Sequence, residues 1–484
     1  MEESHSKDSI IEYLEKNHIK EILNQSINEL LEYRPKDASG FLSTLLLKHC
    51  EAPSVYSLKS REILDSRGYP TVQVDVFVKY LDQIVFGGRA AAPSGTTIRP
   101  TEPKDLRDNV PARFFGKGVQ NAIKMINETI SQGLSGKELM NLSEIDAKIM
   151  EYDPSDLKDK IGALVTSSVS LAIASSIPRF MNDPLFVHLD KIYNSTASSK
   201  FIIPVPLCSV INGGKSYGSP LKISEVLIYP RSDILVPDQI RMISEVFNKL
   251  GVVMVKKYGN QSVCFGVEGG YYPSVSSIDD IIGTLEKAIV LAGHQPGKDV
   301  FIGINANASE LYIPQTKVYE IEQGVNKSSE DLLNFWKNIM NQHPSIMYIE
   351  DPFDDNDLDS WSKLTAFAGQ SKIIAGGDAY VSNPKAIIKG VQNKTSNGVV
   401  LKINQCATVT EMMKTSSLAL DNGSSLIISD RSGDNNDSIL ADISVASRAK
   451  FLKSGSLTRS ERNQKYNRLL QIFDWLRTNN MISL

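Results

Sequence analysis

A chain of 484 residues, 41% hydrophobic and 22% charged, has apolar content for large cores and exceeds one ordinary domain, so two or three domains are expected. Its 52 Lys plus Arg against 56 Asp plus Glu leave a net charge of -4, which provides no field to draw it onto nucleic acid. No apolar run reaches the roughly 20 residues that cross a bilayer, and the polar start MEESHSKDS lacks a signal-peptide core, so a cytoplasmic protein with no membrane partner is expected.

Between residues 9 and 33, Ile22 and Leu23, then Ile27, then Leu30 and Leu31 fall on one stripe at spacings of three and four, which predicts an amphipathic helix ended by Arg34-Pro35. Phe41, Leu42, Leu45, Leu46 and Leu47 predict a second helix, with Pro35 and Asp37 as its start signals. A hairpin of about 40 residues cannot bury its apolar face alone, and pairing two hairpins into a four-helix bundle is the physical remedy. The segment YLEKNHIKEILNQSINELLEYRPKDASGFLSTLLLKH, above all RPKDASGFLSTLLL, resembles the RII-alpha type of dimerisation and docking domain. That resemblance implies a homodimer and capture, through residues 9–50, of an amphipathic helix from an anchoring or axonemal protein in a cilium or flagellum. A helical extension packed on the main body is the plainer alternative.

From Val55 the period changes. Val72, Val74, Val76 and Val78 alternate with other side chains in TVQVDVFVKY, which predicts an antiparallel strand, and helical stretches are expected over residues 104–180. From Phe201 to Ser429 the short apolar runs FIIPVPL, EVLIYP, VFIGIN, IMYIEDPF, KIIAGG, GVVLKIN and SLIIS recur, many separated by longer helical segments. This rhythm predicts a barrel with its working residues at the strand ends. Cys50, Cys208, Cys264 and Cys406 show no ligand spacing and are expected to be structural free thiols.

Residues 53–484 also resemble the enolase family, through REILDSRGYPTVQVDV, GRAAAPSGTT, IPVPLCSVINGG, GVEGGYYP, SIMYIEDPF, VVLKINQ, DRSGDNND and TRSERNQKYNRLL. The resemblance implies an α/β fold: an N-terminal α+β domain over residues 53–195 capping a (β/α)8 barrel over residues 196–484, with the helical hairpin at residues 1–52. It implies dehydration of 2-phosphoglycerate to phosphoenolpyruvate, using magnesium. Carried across, Lys402 falls where the proton-abstracting lysine sits, and Lys453 where a second lysine meets the substrate carboxylate; two neighbouring ammonium groups are expected to depress each other's pKa. Glu225 and Glu268 fall at the carboxylates that handle the departing hydroxyl, and Arg431 and Ser432 at the phosphate grip. Thr97 stands for the flexible lid's serine, a ligand of a second ion.

Several positions depart from the family pattern. Of three carboxylates expected around the first magnesium, only Glu350 of IEDPF is present; Asn305 replaces the second, and Gly377 the third. Asp378 is adjacent, but alternation along a strand would turn it to the opposite side. Ser216 and Asp430 replace two histidines, Val267 replaces an aspartate, and Arg99-Pro100 stiffens a normally glycine-containing lid. Glu225, Glu268, Glu350 and Asp430 against Lys402, Lys453 and Arg431 leave about -1, so the mouth is expected to neutralise itself with internal ion pairs. The expected outcome is an enolase-like protein with a degenerate metal site, non-catalytic and structural; an active phosphopyruvate hydratase with altered ligation and a sensor of a small phosphorylated acid are the alternatives.

Overall fold

The computed structural model describes residues 7–96, 99–181, 183–194, 198–322 and 324–483. The N-terminal segment forms α1 (Lys7–Lys16), α2 (Ile19–Tyr33) and α3 (Ala38–Leu47). The single first helix expected over residues 9–33 is therefore broken, because His18 adopts a left-handed backbone with φ 53°. Arg34, also left-handed, ends α2, and the Asp37 carboxylate caps α3 by accepting the Gly40 N–H at 2.9 Å. Within this segment Ile10, Ile11, Leu23, Ile27, Leu31 and Leu47 are exposed, whereas Ser26 and Leu45 are buried.

β1 (Ser54–Leu64), β2 (Pro70–Tyr80) and β3 (Gln83–Ala91) form an antiparallel meander. The alternating Val72, Val74, Val76 and Val78 are all fully buried, as the period-two pattern requires. Helices follow later than expected: residues 103–113 are irregular, and the helical stretch begins at Gln120. α4 (Leu142–Glu151) and α5 (Ala163–Ser176) complete the domain. α5 lies against β2 and β3. Gly88 permits that approach, since a Cβ there would lie 2.7 Å from the backbone of Ser176. The helical stretch Ala163–Phe180 is long and apolar enough to cross a bilayer by composition, but 78% of it is buried inside the fold.

The remainder closes into an eight-stranded barrel, β4 (Val205–Asn212), β5 (Glu225–Pro230), β6 (Val300–Asn305), β7 (Ile346–Glu350), β8 (Ile373–Gly376), β9 (Gly398–Lys402), β10 (Ser425–Ser429) and β11 (Phe451–Lys453). All neighbours are parallel except β5, which runs against both β4 and β6. This reversal places the first residue of β5 level with the last residues of the others. Glu225 pairs with Asn305, Asn305 with Glu350, Lys402 with Ser429 and Ser429 with Lys453. One rim therefore carries most of the residues singled out by sequence.

The two bodies meet through buried polar contacts. Asp146 of α4 accepts the Thr410 N–H at 2.9 Å and its hydroxyl at 2.6 Å, at the start of α6 (Val409–Asp421). Cys208 and Cys406 are buried free thiols, whose pKa burial pushes up to about 12; Cys50 and Cys264 are exposed rather than structural.

Candidate active site at the barrel mouth

The rim encloses a cavity of about 120 Å³ lined in part by Glu225, Glu268, Asn305, Lys402, Arg431 and Lys453. Ser432, Asp430 and Val267 line it too. Residues separated by more than 200 positions are thus brought to one place by barrel closure. Thr97 lies outside the described residues. Ser216 stands aside from the lining, exposed, with its hydroxyl donating to Glu310 at 2.8 Å.

Lys453 sits at the centre. Its ammonium lies 2.8 Å from Glu225 and 2.8 Å from Glu350, and all three groups are buried. Burial disfavours its charge, but the two carboxylates outweigh that cost and hold its pKa well above the ordinary value. The expected mutual depression of the two lysines is therefore overturned at Lys453. Burial likewise pushes Glu225 up, yet Lys453 and Asn305 hold its pKa below the usual range. Glu350 also accepts the Tyr348 hydroxyl at 2.7 Å.

Lys402 donates to Asp378 at 2.5 Å. This corrects the expectation that Asp378 turns away. β8 ends at Gly376, so strand alternation no longer governs the next residues. The buried Asp351 instead accepts the N–H groups of Gly377 and Asp378, each at 2.9 Å, and bends the chain so that the Asp378 carboxylate enters the mouth. Burial, then the neighbouring Asp378 and Glu350 charges, push Asp351 up to about 7.

The acid side is arranged by Arg462, which starts within α7 (Ser460–Thr478). Its guanidinium lies 2.5 Å from Asp430 and 3.2 Å from Glu268. Burial pushes Glu268 up to about 7, with Arg462 opposing and Asp430 and Glu225 reinforcing the shift. A carboxyl titrating there holds a proton for part of the time near neutral pH, as a donor to a departing hydroxyl must. Arg431 pairs with Glu102 of the capping domain at 2.7 Å, both buried. Its guanidinium passes so close to Gly95 that a Cβ there would lie 1.7 Å from Nη2, so the glycine of PSGTT makes room for it. The Ser432 hydroxyl accepts the Thr96 N–H at 2.9 Å.

All seven charged groups counted from sequence thus have a charged partner, as self-neutralisation requires. Three charged partners come from outside that set, Asp378, Glu102 and Arg462, and the Tyr348 hydroxyl adds a neutral donor to Glu350. Arg462 lies within TRSERNQKYNRLL, so the motif held the clue, whereas Glu102 carries no local signal that could have revealed it.

These donors do not fit a hard divalent ion. Asn305 spends its amide N–H on Glu225 at 2.9 Å and leaves its carbonyl oxygen buried without a hydrogen-bond partner, a neutral donor only. Glu350 is held by an ammonium, and Gly377 has no side chain. Among the described residues, no three His, Cys, Asp or Glu side chains gather as a metal-binding group.

An α+β domain capping an eight-stranded barrel with one reversed strand, and lysines and glutamates converging at its mouth, defines a capped-barrel architecture. Residues 55–189 match the family model of the enolase N-terminal domain, and residues 200–482 that of the enolase C-terminal TIM barrel domain. The enolase of Methanosarcina barkeri is 37% identical over 418 residues, covering 86% of this chain and 94% of that protein. The enolase of Pyrococcus furiosus is 36% identical over 418 residues, with the same coverage. The chain belongs to the enolase family, whose members generally use magnesium.

Proposed function

We propose that this enolase-family chain is a structural component with little or no dehydratase activity. The observation that carries the reading is the Lys453 ammonium, 2.8 Å from both Glu225 and Glu350, on a rim where Asn305 and Gly377 replace two carboxylates. A metal ion contributes several kcal/mol to the developing charge of an enolate, and each ~1.4 kcal/mol is tenfold in rate. A coupled assay converting 2-phosphoglycerate at saturating magnesium is expected to show turnover at least about 10³-fold below that of a relative such as the Methanosarcina enzyme. Turnover matching that relative overturns the reading.

The N-terminal segment supports a docking role. Its exposed Ile10, Ile11, Leu23, Ile27 and Leu31 are the apolar surface that a second hairpin, or an amphipathic helix of an anchoring protein, would cover. The destination we propose is a ciliary or flagellar axoneme, on the strength of the docking-domain resemblance alone. Fractionation of ciliated cells checks it: the protein should stay with axonemes after detergent, and its release with the soluble fraction argues against it.

A second reading has its own support, because Lys402, Glu225, Glu268 and Arg431 all reach one cavity. A sensor would bind phosphoenolpyruvate without turning it over. Thermal stabilisation by that acid in EDTA separates the sensor from the purely structural role.

A further inference from the structure

The carboxylates around Arg99 come from the loops following three strands: β6, which ends on Asn305, β7, which ends on Glu350, and β8, which ends one residue before Gly377. Asn307 and Glu310 follow β6, Asp351 and Asp355 follow β7, and Asp378 follows β8. Arg99 comes from the capping domain, and its side chain is 14% exposed. Its Nε lies 3.5 Å from Asp355 and 3.9 Å from Asp378, and its Nη2 donates to the Asn307 side-chain oxygen at 3.2 Å. Asp378 in turn holds Lys402, so the guanidinium and the candidate base share one carboxylate.

We infer that Arg99 is the built-in counter-cation of this rim, tying the three loops together electrostatically in the role a divalent ion would otherwise fill. Three arguments converge. A guanidinium is charged at every physiological pH, whereas an ion must be captured from solution. A tethered cation has no octahedral shell to complete, so the neutral Asn305 and the bare Gly377 are no handicap to it. The acids around it, Asp351, Asp355, Asp378 and Glu310, outnumber it and Lys402, so removing Arg99 would leave adjacent like charges that only another cation could relieve. This inference rests on the metal-free reading of the site, and extends it by naming the residue that makes magnesium dispensable.

The test uses the full chain, with magnesium chloride alone as the probe and sodium chloride at matched ionic strength as the control, read by thermal unfolding. Wild type is expected to shift by no more than about 1 °C between EDTA and millimolar magnesium. Arg99→Gln should unfold several degrees lower in EDTA, about 3–6 °C, and recover at least half of that loss in magnesium but not in sodium. Arg99→Lys, which keeps the charge, should behave as wild type. If Arg99→Gln fails to fold in EDTA, its expression and folding in magnesium carry the same reading, and failure in both overturns it. An Arg99→Gln protein that folds but ignores magnesium overturns the Arg99 assignment while leaving the metal-free site intact. A wild type stabilised by magnesium overturns both, and the coupled assay then decides whether catalysis returns with the ion.

Discussion

The N-terminal hairpin and the barrel mouth handle unfavourable surface in opposite ways. The hairpin leaves Ile10, Ile11, Leu23, Ile27 and Leu31 in water, whereas the mouth buries Glu225, Glu350, Asp430, Arg431 and Lys453 and pairs each with an opposite charge. One region keeps apolar side chains in contact with water. The other pairs its buried charges internally. The difference follows from size: a large barrel can enclose charged groups and bring partners to them from distant strands, while three short helices have too little volume to enclose their own apolar faces.

Breaking the mouth should have the largest effect. Lys453→Ala leaves two buried carboxylates without their shared cation and is expected to cost about 3–5 kcal/mol in denaturant unfolding. A loss below about 1 kcal/mol would mean that the mouth is not self-completing.

The pH dependence sharpens the same point. Asp351 has its pKa raised from 3.8 to about 7 in the folded protein, so it binds its proton more tightly folded than unfolded. Its contribution to stability is full below the unfolded value and is lost as pH rises through the folded one. Relative to Asp351→Asn, wild type should lose stability steadily between pH 4 and 7; parallel stability curves for the two proteins would refute the shift. The Gly377 and Asp378 N–H groups go to different oxygens of Asp351, so asparagine keeps an acceptor for only one of them, and it is the pH slope rather than the absolute difference that reports the charge.

The hairpin offers the smallest effect on folding. Leu31 is exposed, and Leu31→Asp should change unfolding of the isolated chain by no more than about 0.5 kcal/mol while reducing self-association in sedimentation experiments. Unchanged association would leave the hairpin's apolar face without the partner proposed for it.

Legibility from sequence varied with the range of the interaction that decided each feature. The strand alternation of Val72 to Val78 and the Asp37 cap are local, and both are found in the fold. The helix break at His18 was missed because a left-handed residue interrupts an otherwise unbroken apolar stripe. Motif resemblance located Lys402, Glu225, Glu268, Arg431 and Lys453, and barrel closure places them around one cavity. Strand alternation misplaces Asp378, which lies two residues past the strand's end, where hydrogen bonds to Asp351 set the direction instead.

By itself, the sequence determined the barrel rhythm, the family and the presence of a neutral Asn305 and a bare Gly377 at the strand ends, because apolar periodicity and side-chain identity are properties of the chain. Only tertiary structure decided who neutralises whom: Lys453 with Glu225 and Glu350, Arg431 with Glu102, Arg462 with Asp430, and Arg99 among the acids of three loops. Those pairings depend on distance, and distance between residues hundreds of positions apart is set by strand register and by the reversed β5.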